Sequence, residues 1–154
     1  MVRSDVAKLH AALAPLDTMM LTTIDRDHRL VSRPMAVEFA EFDGLVRLFA
    51  PIGAPVVSDI TVRARVSVTY TSAELSVSIA GLAGVIRDPY RIARYWHHGL
   101  DRWIPGGPSS AVGIEVIVFE GRCWKVPAPA SNSDDQAWVS AGSRAMRNAV
   151  NSSA

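Results

Sequence analysis

The feature that most restricts the fold of this chain is a succession of short β-forming runs separated by turns only a few residues long. Met19–Ile24, Arg29–Val37, Leu45–Ala50, Arg65–Tyr70 and Leu75–Ile86 are rich in apolar and β-branched residues. Ala111–Phe119 and Arg122–Val126 follow near the end. Turn-forming residues separate several of them: Asp25-Arg26-Asp27-His28, Phe42-Asp43-Gly44, Thr71–Glu74 and Glu120-Gly121. Parallel neighbours need a crossover of about a dozen residues or more. Such tight turns therefore predict a mostly antiparallel sheet. Six to seven strands of this length predict a small closed barrel, mainly β with flanking helices.

Three helices are predicted around it. Ser4 is an N-cap candidate for an amphipathic helix over 4–14, stopped by Pro15. Val56, Val57 and Ile60 fall at helical spacing within 54–62, with Ser58 and Asp59 read as facing out. Asp88-Pro89 combines a favoured cap with a favoured first helical residue, so a helix runs from there to about Gly99. Residues 100–110 read as a Pro/Gly/Ser loop. Pro34 inside the second run marks an edge or an interrupted ladder, and Gly81 and Gly84 suggest a bulge or a close backbone approach. The division is a barrel domain over 1–126, then a linker at 127–133 and a helical tail within 127–154. A weak helix over 134–150 would carry Trp138, Ala141, Ala145 and Ala149 on one face.

Composition narrows the function. At 154 residues the chain is one domain, 49% hydrophobic and 20% charged, which is globular. Sixteen Lys and Arg against fifteen Asp and Glu leave a net charge of +1, with no basic block of the kind nucleic-acid binding uses. Asp5, Lys8 and His10 break any signal-peptide core, and no run approaches the ~18–20 apolar residues of a membrane span. Cys123 is the sole cysteine, so no intramolecular disulfide or CxxC motif exists, which suits the cytosol. It reads as a small apolar core residue.

Catalytic constellations are scarce. His97 and His98 are adjacent and point to different faces, so they do not chelate; no metal site is expected. No phosphate loop, dinucleotide fingerprint or nucleophile elbow appears. Catalytic residues stay unassigned. The notable segment is Ser32-Arg33-Pro34-Met35, where an Arg beside a ladder-interrupting proline can present a guanidinium to phosphate. The plainer reading is an edge-strand Arg paired with Asp or Glu. Both stand on the residues alone.

The order of segments adds a resemblance. MLTTIDRDHRLVSRPMAV, the Asp43-Gly44 turn, LFAPIGAPVVSDI, VSVTY, SVSIAGLAGVIRDP and RWIPGGP succeed one another over roughly residues 5–126. This resembles the pyridoxamine 5′-phosphate oxidase-like, FMN-binding split-barrel proteins, in particular their general stress protein branch. The resemblance implies a homodimer with FMN at the subunit interface and a flavin-dependent oxidoreductase activity. It implies that Arg33 reaches the FMN phosphate, that backbone from Pro34 through Met35 to Ala36 lies against the ring, and that Phe49 and Ala50 border the ribityl chain. Trp103 would cover the ring from the partner. A Ser-x-Lys pattern usual after the third strand reads Ala54-Pro55-Val56 here, with both side-chain donors gone; Arg63 or Arg65 are candidate substitutes. A barrel that has lost FMN and serves as a dimeric binding module is the alternative. A related cofactor such as a deazaflavin or haem is a third reading, although no His for a haem ligand lies in the expected strands. Pyridoxamine phosphate oxidation itself is not expected, because no C-terminal extension carries the Arg and His to hold that substrate.

Overall fold

A computed structural model describes residues 16–38, 44–73, 75–125 and 136–139, together with Ala11. The predicted helix over 4–14, apart from Ala11, and the linker at 127–133 lie outside the described residues. The elements are β1 (Thr18–Ile24), β2 (Leu30–Glu38), β3 (Leu45–Pro51), α1 (Pro55–Val62), β4 (Arg65–Thr71), β5 (Leu75–Ile86), α2 (Pro89–Tyr95), β6 (Ala111–Lys125) and β7 (Gln136–Val139). Two short 3-10 turns, His98–Leu100 and Pro108–Ser110, lie between α2 and β6.

All strand pairs are antiparallel, in the order β3-β2-β1-β4-β5-β6-β7, and a β3–β6 pairing closes the first six into a barrel. Alternation along each strand fills the interior with residues such as Leu21, Leu48, Val68, Ile79 and Ile114. Each such side chain contributes about 1.5–3 kcal/mol by leaving water. Helix α1 packs against this interior with Val56, Val57 and Ile60. Cys123 is a free, buried member of the same core.

The ladder between β2 and β3 is short. It joins only Ala36–Glu38 to Arg47–Phe49, whereas β1 pairs with β2 from Leu30 to Ala36. Pro34 sits where β3 has already diverged, as its missing N–H requires. The barrel is split there. Asp25 supports the preceding turn by accepting from the backbone N–H groups of Asp27 (2.8 Å) and Arg29 (2.9 Å).

Three expectations change. The predicted hairpin at Glu120-Gly121 is instead continuous strand: Gly121 is buried opposite Ile79, and β6 stays paired with β5 on both sides of a bulge at Phe119, the residue skipped between the Ala80–Glu120 and Gly81–Val118 pairs. Residues 136–139, read as part of a helix, form β7. Beyond Ile117, β6 has left β3 behind, and β7 pairs with Glu120–Cys123 on that otherwise open edge. The helix after Asp88 ends at Tyr95 rather than near Gly99. Its cap is as predicted, with the Asp88 carboxylate accepting from the Tyr90 N–H at 2.9 Å. Trp96 then turns extended, and the chain folds back to bury Leu100 and Ile104.

Candidate functional site

Two features stand out, a polar cluster at one end of the barrel and an aromatic shelf on its outer face. Arg33 belongs to the inward-facing series of β2, beside Met35 and Val37, but lies at the end of the barrel where α1 packs. Its Nη2 is 3.1 Å from Asp59 Oδ2, and its Nη1 donates to Thr23 Oγ1 at 2.8 Å. The Thr23 hydroxyl in turn donates to Asp59 Oδ2 at 3.0 Å. Arg33 keeps 25% of its side chain exposed; Asp59 keeps 8%. The outward placement expected for Asp59 is thus corrected. It lies three residues after Val56 and one before Ile60, on the helix face that packs against the barrel, and the guanidinium compensates its burial.

A groove of about 510 Å³ opens beside this cluster, lined by Asp25, Arg26, Asp27, Arg33, Pro55, Ser58, Asp59, Val62 and Arg63. Its three arginines and three aspartates balance in formal charge. Arg63 donates to the Asp25 carbonyl at 3.0 Å and lies 3.3 Å from His28 Nε2, while Arg65 is exposed and does not line the groove.

The aromatic shelf lies on the outer face of the barrel. Ala36, Phe49, Ile92, Leu100, Ile104 and Ala111 are buried together, with Tyr95, Trp96 and Trp103 packed around them. Phe49 and Trp96 meet edge to face at 5.6 Å between centroids. Arg47 stacks on Tyr95 at 4.1 Å, and Glu115 forms an ion pair with Arg91 from α2. These contacts fix α2 over the shelf.

Of the residues singled out from the sequence, Ala36, Phe49 and Trp103 therefore meet in one cluster. Met35 and Ala50 direct their side chains into the barrel core, and Pro34 is exposed on the opposite face of β2 from Arg33. Arg33 stands with Thr23 and Asp59. The sequence reading missed both partners: a buried Asp on a helix and a Thr in a strand look unremarkable until the fold places them against one guanidinium. Val56, at the position of the usual lysine, is 2% exposed and part of the barrel core, so a lysine in that place would bury its ammonium.

Asp101 beyond the shelf lies 3.2 Å from His98 Nδ1 and accepts from the Trp96 indole N–H at 3.2 Å. The His98 contact first, and the indole second, hold its carboxyl below the ordinary 3.8. A lowered carboxyl favours the native turn above its unfolded value, and this contribution is lost as pH falls through the lowered one. Acid titration below pH 3.8 should therefore release Trp96 and change its fluorescence; Asp101→Asn should remove that transition.

A sequence model described as "Pyridoxamine 5'-phosphate oxidase like" matches residues 4–144. The chain belongs to this family. No curated protein matches it in sequence. Among solved structures, a Clostridium acetobutylicum protein related to general stress protein 26 of B. subtilis superposes with a TM-score of 0.68 at 11% identity, covering 82% of this chain and 92% of its own. General Stress Protein 26 from Bacillus anthracis gives 0.66 at 21% identity, covering 77% and 92%. An F420 reductase gives 0.59 at 16% identity, covering 73% and 94%. At these identities the structural likeness is one of fold, and it agrees with the family's split barrel. Within the described residues no helix is long and apolar enough to cross a membrane.

Proposed function

We propose that this member of the pyridoxamine 5′-phosphate oxidase-like family is a homodimeric, flavin-binding oxidoreductase that holds the flavin ring along the open edge of β2. One observation carries the reading. Among the described residues, β3 pairs with β2 only at Ala36–Glu38, which leaves the backbone from Leu30 to Met35 without a strand partner on that side. A flat heteroaromatic ring needs an apolar wall and backbone donors and acceptors; the open edge offers the backbone groups, and half-buried Trp103, packed against the buried Ala36 and Phe49, offers apolar surface.

The ring half of FMN fits these residues; the phosphate half does not. Arg33 is engaged by Asp59, and Ala54, Pro55 and Val56 offer no side-chain donor. Bound flavin would supply the hydride and electron transfer. The chain's own part is to hold the ring flat, bond its polar edge and keep water from it. The reductase among the structural neighbours supports a redox role. A second reading, a barrel without cofactor that acts as a dimeric binding module, is favoured by the same engaged Arg33.

The dimer reading is supported by the outer face of β1, β2 and β4. Ser32, Thr22 and Ser67 form one cross-strand row and Pro34, Met20 and Thr69 the next, an uncharged patch with Met20 exposed. Light scattering at micromolar protein should give the mass of two 16.6 kDa chains. A single-chain mass refutes the dimer. Absorbance of the purified protein and titration with flavin test the cofactor: saturable binding supports the oxidoreductase, and no binding favours the cofactor-free module.

A further inference from the structure

We infer that Asp59 is a specificity-determining residue: by holding Arg33 it removes the terminal phosphate from recognition, so the site takes the phosphate-free flavin as readily as FMN. The inference rests on the flavin reading above. Asp59 Oδ2 receives both the Thr23 hydroxyl and the Arg33 guanidinium, so this cation, one of three that line the groove, is part of a neutral pair. A dianion drawn to Arg33 meets the Asp59 carboxylate at hydrogen-bonding distance from the same guanidinium, and the attraction of one charge is offset by the repulsion of the other. The rest of the groove does not restore the balance. Asp25 and Asp27 match Arg26 and Arg63 in number along its lining, Asp27 pairing with Arg29 at 3.9 Å, and Arg63 already bonds the Asp25 carbonyl. The start of α1 adds little: Pro55 has no N–H, and the Val57 N–H is bonded to the Ala54 carbonyl at 3.0 Å. The groove charge and the paired guanidinium both withhold a phosphate grip.

Asp59→Asn keeps the shape and an oxygen to accept from Thr23 while removing the charge. The test titrates riboflavin and FMN into the full chain, wild type and variants, with thermal melting alongside. The wild type is expected to bind the two within about threefold of each other. Asp59→Asn is expected to tighten FMN by about ten- to a hundredfold, the range of one charge-assisted hydrogen bond, with riboflavin unmoved. A folded Asp59→Asn protein that binds FMN no better than wild type overturns the inference. So does a wild type that prefers FMN by tenfold or more. If Asp59→Asn does not fold, the double variant Arg33→Met with Asp59→Leu decides. It should shift both flavins by one factor, and a selective loss of FMN shows that Arg33 reads the phosphate after all. Failure of both flavins to bind the wild type sinks the flavin reading instead. In that event FMN binding gained by Asp59→Asn upholds the role of Asp59, and no gain, or a variant that does not fold, overturns it.

Discussion

Replacing Arg33 with methionine is expected to lower the free energy of unfolding by about 3 kcal/mol, although Arg33 is neither central in the core nor fully buried. The reason lies with the partner. Asp59 is 8% exposed and receives Arg33 and Thr23. Without the guanidinium its charge keeps a single neutral donor in a place water barely reaches. Removing one member of a buried pair is costly, whereas replacing both with apolar residues of similar volume is often close to neutral. Arg33→Met combined with Asp59→Leu should thus recover most of the loss. For a chain of this size, 3 kcal/mol corresponds to a melting shift of about 6–12 °C. Urea unfolding of wild type, both single variants and the double measures the coupling; a double-variant loss equal to the sum of the two single losses would show that the pair contributes nothing.

The largest effect expected outside the site is at Gly81. A Cβ placed there meets the Ile117 carbonyl oxygen at 2.3 Å and Val116 Cγ1 at 2.7 Å. The oxygen belongs to the β6 backbone, paired on one side with β5 and on the other with β3, so it has nowhere to move. Gly81→Ala should cost about 3 kcal/mol or prevent folding, through overpacking at the bulge. Gly84, three residues on in the same strand, has nothing within 4 Å of the corresponding position. Gly84→Ala should stay within about 0.5 kcal/mol of wild type, or stabilise slightly by restricting the unfolded chain. Melting curves of the two variants check the contrast; equal stability would mean that the β5–β6 approach is looser than described.

Most of the barrel was legible because alternation and turn residues act locally. Met19–Ile24 and Leu75–Ile86 declare themselves by composition, the Asp25–His28 turn by its aspartates, and the Asp88-Pro89 cap by two adjacent residues. What stayed hidden depends on distant pairing. Glu120-Gly121 has the composition of a turn, yet the facing strand makes that glycine a packing position. Gln136–Val139 has little strand character and becomes a strand because the end of β6 offers it an edge. The same limit applies to the site. The Arg33 segment stands out by its proline, but Asp59 lies 26 positions along the chain, on a helix where it and Ser58 read as solvent-facing. Only the packing of α1 against the barrel makes it the partner that decides what Arg33 can do.

Titrating riboflavin into the purified chain, and following quenching of flavin fluorescence, tests whether a flavin ring is held at the split between β2 and β3. Riboflavin carries the ring and no phosphate, so it isolates the part of the ligand that the open edge of β2 and the Ala36, Phe49 and Trp103 shelf are argued to hold. Saturable quenching at one flavin per chain is the expected result. A linear, unsaturated response up to the solubility of riboflavin would contradict it.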